Sequence, residues 1–163
     1  MPQPLPVPYH PQNSNGFCLA ACAQMVLHYW GIMVDQAQIA QQLGVQPGVG
    51  APAGRITRLT SHRLTVIYDV GEWEVLQAWL DKQIPLIAMI QAGELPHWLG
   101  EYFQHAVVVT GYARSHVWLL DPAAPPETLV VPIDDFMLAW GEMDFRYAVL
   151  EPLLPQEKDK GDK

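Results

Sequence analysis

Gln104-His105-Ala106-Val107-Val108-Val109-Thr110-Gly111-Tyr112, the turn Ala113-Arg114-Ser115, and His116-Val117-Trp118-Leu119-Leu120-Asp121 form the stretch on which the fold turns. β-Branched and aromatic residues fill both arms, and a short polar break separates them, which predicts an antiparallel hairpin. Facing residues of such a hairpin have numbers of constant sum. With Gly111 opposite Ser115, His105 faces Asp121, on the same side of the sheet and with Cβ atoms about 4.5–5.5 Å apart. A carboxylate placed there accepts from one ring nitrogen and leaves the other aimed at a third group. The relation depends on register, because a slip of one residue sends the two side chains to opposite faces. Taken alone, a His at the start of a Val-rich strand reads equally well as a packed strand-end residue.

Outward from the hairpin, a strand is expected near Thr128–Pro132, a short helix over Asp134–Trp140 and a last strand over Arg146–Leu150. Upstream, Leu64–Tyr68 and Leu86–Ile90 read as strands. Between them Glu72–Gln83 reads as a helix, with Trp73, Leu76, Trp79 and Leu80 on its inner face and Pro85 beyond its end. Residues 91–103 form a polar and aromatic loop, whose Trp98, Tyr102 and Phe103 either line a groove or simply pack. Residues 44–56, with four Gly and two Pro, read as a mobile loop, either a connector or a groove wall.

The N-terminal third is helical. After a Pro-rich lead-in (residues 1–16), a helix is expected from Phe17 to Trp30, with Asn15 as its N-cap and Gly31 as its stop. It is apolar over most of its circumference, as a buried helix is. Asp35 with Gln38 fits a capping box for a second helix that Gly44 ends. Helices first and an antiparallel sheet later give an α+β order, taken as one domain over residues 1–155 with a charged, disordered tail at 156–163.

Composition narrows the function. Of 163 residues, 50% are hydrophobic and 16% charged, which suits a globular chain with a real core. A net charge of -8 repels phosphate backbones, so no nucleic-acid partner is expected. No apolar run is long enough to span a bilayer. The start Met1-Pro2-Gln3-Pro4 lacks the basic and apolar regions of a signal peptide, so a cytoplasmic location is expected. Cys18 and Cys22 are read as reduced thiols. Zinc on Cys18, Cys22 and His28 is disfavoured, because no second Cys pair follows.

Cys18 falls in the first turn of the buried helix, where free N–H groups and the helix dipole stabilise a thiolate. The plainer reading is an ordinary buried cysteine. Gln12, six residues earlier, is either solvated or an amide donor that completes an oxyanion hole with the Cys18 N–H. A nucleophilic thiol needs a base, and the base needs an orienting group. Cys18, His105 and Asp121 are the set in this chain that fills all three roles. Cys22 is taken as core. His10, His62, His97 and His116 are taken as surface or groove-rim residues.

Pro8-Tyr9-His10-Pro11-Gln12, Cys18-Leu19-Ala20-Ala21 and Met25-Val26-Leu27-His28-Tyr29-Trp30-Gly31 resemble the opening of the C39-like peptidases of the papain-like superfamily. His105 through Tyr112, with Asp121-Pro122-Ala123, resembles the same family's His and Asp motifs, and Phe136–Trp140 its following short helix. The similarity spans roughly residues 6–150. It implies a papain-like fold and a cysteine peptidase without a cofactor: Cys18 the nucleophile, His105 its base, Asp121 the orienting group and Gln12 the oxyanion donor, with a peptide or protein as substrate. The family commonly has Gly directly after the Cys. Leu19 stands there in this chain, where a side chain would narrow the floor of the site or alter how the chain enters the helix. Three other readings remain beside hydrolysis: a peptide-binding domain of the same fold, amidase or transamidase chemistry on the same residues, and an interaction protein whose Cys18 is structural.

Overall fold

In a computed structural model of the chain, residues 2–153 are described. The charged end at 156–163, expected as a tail, lies outside them. Six strands form one antiparallel sheet: β1 (Leu64–Val70), β2 (Leu86–Gln91), β3 (Gln104–Tyr112), β4 (His116–Leu120), β5 (Leu129–Pro132) and β6 (Arg146–Pro152), in spatial order β1-β6-β2-β3-β4-β5. Helices α1 (Cys18–Tyr29), α2 (Gln36–Leu43), α3 (Trp73–Asp81) and α4 (Ile133–Gly141) cover it. No helix among the described residues is long and apolar enough to cross a membrane.

Successive side chains of a strand point to opposite faces, and both faces are buried. Ile87, Met89, Ala106, Val108 and Leu120 pack with α1 and α2 on one side. Leu86, Ala88, Ile90, Val107, Val109 and Leu119 pack with α3 and α4 on the other. Double burial is why β2 and β3 read as unbroken apolar runs. The architecture is the α+β, papain-like one expected, with the first helix on a sheet that carries His105 at its end. The expected inner face of α3 divides: Leu76 and Leu80 are buried, and the two Trp are half-buried.

The hairpin differs from expectation in register. Val108 pairs with Leu120 and Val109 with Leu119, whereas nearer the turn Gly111 pairs with Trp118 and Tyr112 with Val117. A β-bulge between Val109 and Gly111 inserts one residue, Thr110, into β3. The Thr110 carbonyl accepts from Leu5 N–H of the lead-in at 2.7 Å. His105 and Asp121 therefore do not pair directly, as the sequence reading expected; Asp121 stands just beyond β4, diagonal to His105. They still share a face, because the bulge changes the pairing sum from odd to even. Without it the turn-side register would run on and put Asp121 on the opposite face from His105.

Neither expected N-terminal side-chain cap forms, whereas Gly44 ends α2 as expected. Phe17, not Asn15, occupies the N-cap position of α1, and no side chain caps it. Asp35 sits at the N-cap of α2 without a side-chain hydrogen bond, so no capping box forms with Gln38. The chain before α1 is occupied otherwise. Gly16 has φ +89°, and a Cβ on it would lie 2.8 Å from the Gly50 nitrogen. Gly48 N–H donates to the Asn15 carbonyl at 2.8 Å, and Gln46 and Gly50 bridge across a tight turn. The loop expected to be mobile is thus strapped onto the residues just before Cys18, through a close approach only glycine permits. Its later part, Ala53–Leu59, is a 3-10 helix.

Candidate active site

An uncapped helix start leaves backbone N–H groups without partners, and Cys18 stands at that start. The His105 side chain and the backbone N–H groups of Ala106 and Leu19 stand beside its thiol, where they favour the thiolate. Burial alone would raise this thiol. The His105 contact, the charge of that ring and the two N–H groups outweigh it, and the Cys18 pKa lies below its ordinary value.

His105 begins the buried part of β3 and is 6% exposed. Its Nε2 donates to Asp121 Oδ1 at 2.7 Å, which leaves Nδ1 as the ring nitrogen for Cys18. Burial alone would lower the imidazole, but Asp121 and Cys18 together push it up to about 9. Asp121 is fully buried. Oδ1 also accepts from Ala123 N–H at 2.9 Å, and Oδ2 accepts from His97 Nε2 at 2.7 Å and Trp98 Nε1 at 2.9 Å. Burial would raise the carboxyl; these donors, His105 first among them, hold it well below the usual carboxylate range. A thiol, an imidazole and a carboxylate in this order can hold a thiolate against an imidazolium near neutral pH.

Gln12 lines the same groove. Its amide oxygen is buried without a partner, so the amide nitrogen is the end open to the groove. The backbone around it is pinned. Gln12 N–H donates to the Pro122 carbonyl at 2.9 Å, next to Asp121. Gln36 is 3% exposed and brackets Gln12: its Nε2 donates to the Pro11 carbonyl at 2.9 Å, and its Oε1 accepts from Asn13 N–H at 2.7 Å. Tyr9, whose hydroxyl donates to the Ala124 carbonyl, ties the same strap to the chain after Asp121. Three of the four residues singled out in the sequence, Gln12, Cys18 and His105, therefore line one groove, and the fourth, Asp121, is buried against His105.

That groove has a volume of about 880 Å³. Tyr9, Gln12 and Cys18 line its floor, the Gly48–Ala51 loop one wall, and Trp98, Phe103 and His105 another. Among the described residues, no Asp, Glu, Lys or Arg lines it. Trp98 and Phe103 are thus groove residues, stacked edge to face at 4.8 Å between centroids, and each packs on the His105 ring. Leu19 contributes to the floor, but its side chain is 4% exposed and packed in the core with α1. The Leu19 side chain is thus mostly spent on the core, and its N–H stands beside the thiol.

Cys22 is wholly buried one turn along α1, and His28 turns to His10 at 2.8 Å, away from both thiols. His97 is the residue that sequence reasoning missed. It was taken as a surface or groove-rim residue, yet it grips the carboxylate that also holds His105. The sequence offered as a signal only the pair His97-Trp98 shortly before His105. Gln36 was missed as well, because a Gln on a short helix carries no mark of the strap it ties.

A family model described as the Peptidase_C39 like family matches residues 4–148. No curated protein sequence matches the chain. Among solved structures, a protein described as a C39-like peptidase from Bacillus anthracis superposes with a TM-score of 0.77 at 18% identity, over 95% of this chain and 98% of that one. The double glycine motif protease of an AMS/PCAT transporter, solved with its leader peptide, gives 0.69 at 20% identity, over 93% and 98%. The peptidase domain of Streptococcus ComA, a bifunctional ABC transporter of a quorum-sensing pathway, gives 0.72 at 16% identity, over 90% and 99%. A family match over residues 4–148, on a fold shared end to end with such peptidases, makes this chain a member of the Peptidase_C39 like family.

Proposed function

We propose that the protein is a cysteine peptidase, with residues 1–155 as one peptidase domain, Cys18 as nucleophile, His105 as base and acid, Asp121 as the group that orients His105, and Gln12 as oxyanion donor. The observation that carries this reading is the bond from His105 to the buried Asp121 carboxylate at 2.7 Å in the groove that Cys18 shares, with the thiol lowered and the imidazole raised to about 9. The Cys18 thiolate attacks a peptide carbonyl carbon. The Gln12 amide and the Cys18 N–H receive the developing oxyanion. His105 gives its proton to the leaving amine, and the acyl group stays on sulfur as a thioester. Water, deprotonated by His105, then releases the acid and restores the thiol. No step calls for a cofactor. Related peptidases act on peptides, the transporter protease having been solved with a leader peptide, and a groove of about 880 Å³ has room for several residues of a chain. Among the described residues its lining carries no Asp, Glu, Lys or Arg, which favours an uncharged segment around the scissile bond.

Alkylation of Cys18 against pH, read by fragment mass spectrometry, tests the first half of this reading. Fast labelling that persists well below the ordinary thiol pKa of about 8.5, and is lost in His105→Ala, is the expected result. A peptide library then tests turnover, which Cys18→Ala abolishes and His105→Ala lowers about a thousandfold or more. Labelling that begins only near the ordinary thiol pKa, with His105→Ala silent, sinks the peptidase and leaves a peptide-binding domain.

A further inference from the structure

Four donors fill the four acceptor sites of one buried carboxylate. Two of them, His105 Nε2 and Ala123 N–H, take Oδ1, and the other two, His97 Nε2 and Trp98 Nε1, take Oδ2. A carboxylate rotates about its last torsion with little intrinsic preference, so what keeps Oδ1 on His105 is whatever holds Oδ2. Both Oδ2 donors come from a single 3-10 turn, Pro96–Trp98, outside the sheet that carries His105. Trp98 is held in turn against Phe103 and the His105 ring.

We infer that His97 is a positioning residue, which clamps Oδ2 of Asp121 so that Oδ1 is delivered to His105 and the imidazolium beside Cys18 is sustained. The inference rests on the peptidase reading of Cys18, His105 and Asp121 and adds a fourth side chain to it. His97 does not itself line the groove; it acts through the carboxylate. The other titratable groups near the carboxylate are Tyr9 on the lead-in strap and Cys22 on α1, both raised in part by the charge of Asp121. Neither donates to it, so neither substitutes for His97.

Carboxymethylation of Cys18 by iodoacetate in the full chain, over pH about 4 to 10, tests this without a known substrate. An anionic reagent is favoured by an imidazolium beside the thiolate, so its rate rises as the thiolate forms and falls as His105 loses its proton near pH 9. His97→Ala is expected to lower the maximum about tenfold and to move the alkaline limb down by about one pH unit, the size of a lost charge-assisted hydrogen bond. His97→Phe keeps a ring against Trp98 without a donor and is expected to behave the same way if the alanine variant folds poorly. His97→Gln carries an amide N–H in the place of Nε2 and is expected to restore both maximum and limb. A merely structural role would change the maximum or the urea midpoint and leave the limb where it was. An unchanged curve in His97→Ala and His97→Phe, with the bell still lost in His105→Ala, overturns the role of His97 and spares the peptidase. A wild-type curve without a bell, and indifferent to His105→Ala, overturns both.

Discussion

Two thiols stand one turn apart on the same face of α1, and they are in opposite states. Cys18 is lowered from the ordinary thiol pKa, and Cys22 is raised well above it. Burial pushes both upward. The difference lies in what the open end of the helix touches. Cys18 meets the His105 ring and the Ala106 N–H at the start of β3, whereas Cys22 meets only apolar core and the unfavourable charges of Cys18 and Asp121. In this chain the lowering of the Cys18 thiol therefore rests on more than the helix start. The sheet completes it, and the bulge at Thr110 decides whether the sheet has His105 and Asp121 on one face.

The largest expected effect sets those two thiols against each other. Cys22 is 0% exposed, so a reagent reaches it only when the fold opens, which costs about 5–15 kcal/mol in a domain of ordinary stability. Cys18 is then expected to alkylate at least about a thousandfold faster than Cys22 at pH 7 in the native protein, with the ratio collapsing in denaturant. Comparable native rates, measured by peptide mapping after a short pulse, would break the comparison at its root.

A smaller effect separates the state of the thiol from the use made of it. Gln12 sits on the lead-in strap, clamped by Gln36 and Pro122, and makes no hydrogen bond to Cys18 or His105. Gln12→Ala is expected to lower kcat about 10²–10³-fold on a cleaved peptide, as loss of one oxyanion donor does. Its Cys18 alkylation curve is expected to match wild type. A variant that lost alkylation as well would show that the strap shapes the thiolate, and that the contact with β3 does not act alone.

How far the sequence foretold this site follows from which forces leave a mark in it. The apolar runs Leu86–Ile90 and Ala106–Val109 mark strands buried on both faces, so the sheet and its helices were legible. Cys18, Gln12, His105 and Asp121 stood out through their motifs; the first three line one groove and Asp121 lies against His105. The pairing of His105 with Asp121 was not. Its expected register differed by two residues from the one found, and the shared face survived only because two is even. A bulge has no sequence mark of its own here, since Thr110-Gly111 fits a regular strand as readily. Caps failed for a related reason: Asn15 and Asp35 have the right chemistry, but the chain before α1 is spent on contacts with the Gly48–Gly50 turn. Gln36 and His97 act across loops distant in sequence, and no local pattern records such partners.

The smallest effect is a slope, and it weighs the two ends of the Cys18–His105 contact against each other. A group whose pKa is raised on folding contributes stability that is complete below its unfolded pKa and lost as pH rises through the folded one. His105, ordinarily 6.5 and about 9 here, therefore loses its contribution from pH 6.5 upward to about 9. A group whose pKa is lowered does the reverse, so Cys18 contributes stability that grows as pH rises from its lowered folded value toward its unfolded 9.0. In that window the folded imidazolium holds one proton more than the unfolded ring, and the folded thiolate one proton fewer than the unfolded thiol. The two slopes oppose each other. Wild type is then expected to keep a nearly level urea midpoint from pH about 6.5 to about 8.5, apart from slopes shared by all variants. Cys18→Ala removes the rising half and leaves His105 on Asp121, so its midpoint is expected to fall with pH across the same window. Parallel curves for the two proteins would mean that Cys18 holds its proton throughout, and that the imidazolium answers to Asp121 alone.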